Sequence, residues 1–88
     1  MIIIKQNLCE DIFSEGSFSD LNEFYLCERA IARALMKGVI KKIPEPDWFI
    51  IPEGEIGDAA FYECMDTGAI WNLVIPERAS RGYWKRIV

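Results

Sequence analysis

The sequence contains no histidine. It therefore has no imidazole to titrate near neutrality, no serine–histidine or cysteine–histidine pair for nucleophilic catalysis, and no histidine ligand for a metal. Cysteine is scarce: Cys9, Cys27 and Cys64 are odd in number and lack the paired spacing of a zinc site or redox motif. Long apolar runs are also missing. No stretch approaches the ~18 apolar residues of a membrane span, and the opening MIIIKQN has too short an apolar run, and no cleavage-like small residues, for an export signal. These absences predict a soluble cytoplasmic protein with reduced thiols, Cys27 and Cys64 being core residues. They also predict no enzyme activity, no metal or other cofactor, and no membrane partner.

What is present suffices for one compact domain over residues 1–88: 51% of the residues are hydrophobic and 27% charged, with no repeat or low-complexity tract. One long helix is predicted, from Ser19 to Gly38. Ser19 or Asp20 can cap it, Glu23 lies near the positive end of its dipole, and Gly38 supplies a stop. At about 100° per residue, Leu21, Phe24, Cys27, Ile31, Ala34 and Leu35 share one face, while Asn22, Arg29, Arg33 and Lys37 share the other. Glu28 projects beside the apolar stripe. Leu26 projects among the basic residues, with Tyr25 and Met36 at the border.

Short strands surround this helix. The β-branched run Met1 to Lys5 reads as a strand inside the sheet, and Gln6 to Phe18 as an irregular loop with one helical turn around Cys9 to Phe13. Val39 to Ile43 is a short apolar stretch, after which Pro44 and Pro46 force a turn. Trp48 to Ile51 reads as a strand ended by Pro52. Ala59 to Met65 and Ala69 to Ile75 form an antiparallel hairpin around a three-residue loop with Gly68 left-handed. Tyr83 to Val88 is predicted as a last, edge strand. The implied fold is α+β: a small antiparallel sheet of four to five strands with one long helix packed across one face, in the order β-α-β-β-β-β. Parity puts Tyr62, Cys64, Trp71, Leu73 and Ile75 toward the helix. The opposite face carries Phe61, Met65, Ile70 and Val74 beside Glu63 and Asn72, more apolar than a solvated face requires.

Charge is segregated along the chain. Residues 1–28 hold six acids against Lys5, residues 29–42 five bases and no acid, residues 43–77 eight acids and no base, and residues 78–88 four bases. Such blocks create local potentials that steer charged partners even at a net charge of −4. Arg29, Arg33 and Lys37 form a ridge of like charge that an acidic neighbour should relieve. That neighbour is either the protein's own acidic segment, a phosphate backbone, or an acidic surface on another protein.

Two strings invite chemistry. Asp66-Thr67-Gly68-Ala69 superficially resembles the active-site signature of retroviral-type aspartic proteases. It departs from that family in lying late in the chain without the downstream apolar-Gly segment, and a hairpin turn is the reading taken. Glu53, Glu55 and Asp58, interleaved with Gly54 and Gly57, offer oxygen atoms but lack the spacing of an EF-hand loop, so an acidic turn is expected there and no metal.

The expectation is a small acidic intracellular protein-binding module, an inhibitor or regulator of a larger protein or nucleoprotein machine. Phage-encoded inhibitors, anti-defence (anti-CRISPR) proteins, immunity proteins and antitoxins offer an analogy of size and charge, without any shared motif. Its candidate contact surfaces are acidic, at Glu53, Glu55, Asp58 and Glu63, or basic and aromatic, at Tyr25, Leu26, Arg29, Arg33, Met36, Lys37, Tyr83, Trp84, Lys85 and Arg86. The alternative is a nucleic-acid-binding domain that uses the helix ridge together with the C-terminal strand, whose interleaved bases and aromatics suit single-stranded bases and phosphates. The overall acidity weighs against it.

Overall fold

The computed structural model describes residues 9–49, 59–77 and 81–88. Its elements run in the expected β-α-β-β-β-β order, with a first strand inside the predicted loop and a second before the predicted one: β1 (Gly16–Ser17), α1 (Leu21–Met36), β2 (Ile40–Ile43), β3 (Ala59–Cys64), β4 (Ile70–Val74) and β5 (Tyr83–Arg86). The five strands form one antiparallel sheet in the spatial order β1-β5-β4-β3-β2. The protein is thus a small α+β domain with one helix against an antiparallel sheet.

Local chemistry sets both ends of α1. The Asp20 carboxylate accepts from the Glu23 backbone N–H at 2.8 Å, satisfying one of the donors the first turn leaves free. At the other end Gly38 has φ 73°, a conformation that costs glycine little, and the chain turns back on itself. Val39 N–H donates to the Ala34 carbonyl at 2.9 Å and Gly38 N–H to that of Leu35 at 3.2 Å, the paired bonds that close a helix through a left-handed glycine.

Phe24, Cys27, Ile31 and Ala34 are the buried residues of α1. They join Ile40, Tyr62, Cys64, Ala69, Trp71, Leu73 and Trp84 of the facing sheet surface, with Cys9 and Phe18 from the preceding loop, in a single core. Each such large apolar side chain contributes about 1.5–3 kcal/mol of burial. The stripe is narrower than its periodicity suggested: Leu21 and Leu35, expected to face the core, are 54% and 38% exposed. Both lie to one side of the arc formed by Phe24, Cys27, Ile31 and Ala34. The other sheet surface is covered as well. Phe61, Asn72 and Val74 are buried there, and Phe49 meets Phe61 edge to face at 5.0 Å between centroids.

Several expectations change. Cys9 and Cys64 are joined in a disulfide, Cα atoms 6.1 Å apart, leaving Cys27 as the one free cysteine among the described residues. The odd number of cysteines therefore hid a bonded pair and a core thiol. Ile40–Ile43 is a strand, paired with β3 through four register positions. Trp48, where a strand was expected to begin, lies in a turn in which Phe49 N–H donates to the Pro46 carbonyl at 3.0 Å. Residues 50 and 51 of that segment, like the predicted strand Met1 to Lys5, lie outside the described residues. The β3–β4 loop has four residues instead of three, because Cys64 and Ala69 form the last bonded pair; Gly68 is left-handed as expected, with φ 76°. β5 is not an edge: β1 pairs with its outer side, Gly16 opposite Trp84 and Ser17 opposite Tyr83.

Candidate functional site

The candidate contact residues divide into four groups. Glu53, Glu55 and Asp58 lie outside the described residues. Glu63, the remaining acid, is half-buried on β3 and forms an ion pair at 3.1 Å with Lys41, its register partner on β2. Among the described residues no cluster of three or more histidines, cysteines or acids stands ready to hold a metal.

The C-terminal group does not form one surface. Because side chains alternate along a strand, Tyr83 and Lys85 share one side of β5, where the Lys85 ammonium stands 5.0 Å over the Tyr83 ring. Trp84 points the other way and is fully buried against Trp71, so the stacking role foreseen for it is corrected to a core role. The reason is parity, since the residue between two solvent-side positions of a covered strand must enter the core. Arg86, on the Trp84 side, is turned toward neighbours: its guanidinium lies 3.5 Å from the Glu10 carboxylate and its Nε donates to the Val88 carbonyl at 2.8 Å.

The helix group stays together. Tyr25, Leu26, Arg29, Arg33, Met36 and Lys37 are all exposed on the side of α1 that faces away from the sheet. Met36 is 89% exposed, Tyr25 50% and Leu26 48%, large fractions for apolar side chains gathered on one helix. None of Arg29, Arg33 and Lys37 has an ion-pair partner among the described residues, so the protein's own described acids leave the ridge unneutralised. An open concavity of about 480 Å³ lies on this side, lined by Asn22, Tyr25, Leu26, Glu28, Arg29 and Ala32. The layer order also separates the two basic groups. The ridge looks out from the helix layer, whereas Tyr83 and Lys85 belong to the opposite side of the sheet.

The titration behaviour behind this face is that of a closed core. Burial raises the Cys27 thiol to about 12, with Glu28 and Glu23 adding to the effect. The Tyr62 phenol is also raised, first by burial and then by Glu28 and Cys27. A neutral, buried thiol is a poor nucleophile. The Asp66-Thr67-Gly68 string sits in the hairpin loop, where the Thr67 hydroxyl accepts from Ala69 N–H at 3.2 Å in a local turn contact.

Sequence reasoning missed the disulfide and the burial of Trp84. Strict alternation along Tyr83-Trp84-Lys85-Arg86 carried the signal for the second. No cysteine spacing carried a signal for the first. Neither a protein-family model, nor a curated protein, nor a solved structure matches this chain.

Proposed function

We propose that this protein is a binding module that recognises another protein through the outward face of α1. It would act as an inhibitor or regulator, in the manner of the small phage, immunity and antitoxin-like proteins it parallels in size and charge, and not as an enzyme. The observation that supports this reading is the combination on one helix face of exposed Tyr25, Leu26 and Met36 with Arg29, Arg33 and Lys37, which no acid among the described residues neutralises. Apolar contact supplies affinity while charge sets rate and choice of partner. A single-stranded nucleic acid would use the charges and Tyr25 but leave Leu26 and Met36 idle. It would also lack the combined ridge and C-terminal surface that such a reading called for.

No helix among the described residues is long and apolar enough to cross a membrane. Disulfides persist in oxidising surroundings and are rare in the cytosol, so the Cys9–Cys64 bridge weighs against the cytoplasmic location the sequence alone suggests.

The test is capture of partners from a lysate of the cells that make the protein, after nuclease treatment, with wild type and with a Leu26→Asp, Arg33→Glu variant that melts like wild type. A nuclease-resistant protein retained by the wild type and lost by the variant is the expected result. Capture indifferent to the variant, or tight salt-sensitive retention on single-stranded DNA at physiological ionic strength, overturns the proposal.

A further inference from the structure

We infer that the outward face of α1 receives a second helix, an acidic amphipathic one supplied by a partner protein. This rests on the protein-binding reading above and specifies what that partner must present.

The spacing of the residues lining the concavity carries the argument. Asn22, Tyr25, Leu26 and Arg29 stand at i, i+3, i+4 and i+7. Tyr25, Glu28, Arg29 and Ala32 repeat that spacing one step further along the helix. Four residues so placed form the hole into which a side chain of a facing helix drops when two helices pack knobs into holes. The concavity is thus two adjoining holes that share Tyr25 and Arg29. Leu26 gives the first an apolar wall, and Ala32, being small, deepens the second. Apolar side chains three or four residues apart on a partner helix would fill both, with the axes roughly 8–10 Å apart.

One wall is held in place before any partner arrives. The Tyr25 ring packs on Phe24 at 5.5 Å between centroids, Phe24 on Phe18 at 5.6 Å, and Phe18 on Phe13 at 6.3 Å. The exposed tyrosine is therefore the outer end of a row of aromatic contacts rooted in the core. Side chains already fixed lose less freedom on binding.

Charge selects the kind of helix. Arg29, Arg33 and Lys37 recur every fourth residue, and like charges at that spacing destabilise a helix. A partner with acids at a matching spacing along one flank relieves that repulsion. Glu28 occupies the other rim, so the partner's second flank carries neutral or basic residues. A second copy of this chain fits poorly: an antiparallel isologous pairing sets the two basic ridges against each other, and a parallel one offers each ridge a single acid, Glu28.

The test is an amide NMR titration of the full chain at physiological ionic strength with three probes. The first is a helix-forming peptide with leucines at alternating three- and four-residue spacing and glutamates along one flank. The second has the same composition, permuted to scatter both residue types around the helix. The third is an oligothymidylate. Shifts confined to residues 22–37 with the first peptide, and about tenfold weaker binding of the permuted one, are expected. An Arg29→Glu, Arg33→Glu variant should lose that peptide and gain one in which lysines replace the glutamates. Equal binding of the permuted peptide, no shifts in residues 22–37 at millimolar peptide, preference for the oligonucleotide, or self-association through the same residues each overturns the inference. The lysate experiment separates the two levels. A partner lost on Leu26→Asp but not displaced by the first peptide overturns the helix inference alone, whereas a partner indifferent to Leu26→Asp removes the reading on which it rests.

Discussion

The indoles of Trp71 and Trp84 stack, their centroids 5.1 Å apart and their planes 15° from parallel, although the two are diagonal neighbours across β4 and β5. Trp84 stands opposite Leu73, and Trp71 opposite Arg86. The pair fills the centre of the sheet under α1, and both residues are buried. Trp84→Ala should cost about 3–5 kcal/mol and Lys85→Ala no more than about 0.5 kcal/mol. The Trp71→Ala, Trp84→Ala double variant should lose less than the two single losses combined, since both remove the same contact. Urea melts measure all of these, and a Trp84→Ala as mild as Lys85→Ala would remove the core assignment.

The disulfide makes stability depend on redox state. It closes a loop with a sequence separation of 55, for which the chain-entropy account gives about 4 kcal/mol. Dithiothreitol, or Cys9→Ser with Cys64→Ser, should lower the melting temperature by on the order of 20 °C for a domain this small. Unchanged melting in reductant would mean that the bridge does not form in solution.

Within α1 the apolar positions are unequal. Ile31 is 3% exposed and Leu35 38%. Ile31→Ala should therefore cost about 2–5 kcal/mol, Leu35→Ala about 1 kcal/mol, and Arg33→Ala no more than about 0.5 kcal/mol. Equal losses at Ile31 and Leu35 in chemical denaturation would contradict the orientation of the helix.

Alkaline pH should destabilise the fold. The Cys27 thiol titrates at about 12 in the folded protein against a reference of 9.0, and the Tyr62 phenol is raised in the same direction. A raised pKa contributes stability that is complete below the unfolded value and is lost as pH climbs to the folded one. The unfolding free energy should thus fall between pH 9 and 12, by roughly 3 kcal/mol from Cys27 alone. Cys27→Ala should flatten that slope, measured as denaturant midpoint against pH. An unchanged slope would sink the assignment.

The α+β class, the helix and the central hairpin were legible because each has a local cause: the Asp20 cap, the Gly38 stop, the 3.6-residue period, and Gly68 between two alternating strands. Strand parity likewise placed Tyr62, Cys64, Trp71 and Leu73 toward the helix. Features decided by long-range contact were not legible. Gly16–Ser17 is a strand only because β5 offers it a partner, and the prolines after Ile43 drew attention from the β pairing that Ile40 to Ile43 find with β3. Cys9 and Cys64 meet only after the helix and hairpin are in place, so their pairing has no signature in spacing.

The candidate site follows the same division. Helical periodicity alone gathers Tyr25, Leu26, Arg29, Arg33, Met36 and Lys37 on one face. Their exposure could not be read from the sequence, because it depends on which arc of the helix the sheet covers. The basic and aromatic tail looked similar in composition, yet tertiary structure dispersed it: Trp84 entered the core, Arg86 met Glu10, and Tyr83 and Lys85 turned to the opposite side.

The Cys9–Cys64 bond also divides the molecule mechanically. If the two ends of the chain were pulled apart, tension would pass from Cys9 directly to Cys64 and bypass α1, β2 and most of β3, which lie within the covalent ring. Only β4 and β5, beyond the ring, could unravel from the C-terminal side; stretched out, residues 65–88 give roughly 80 Å of extension. The helix would carry no tension itself, yet once β4 and β5 were stripped away it would lose Trp71, Leu73 and Trp84 from beneath it while still held inside the covalent ring.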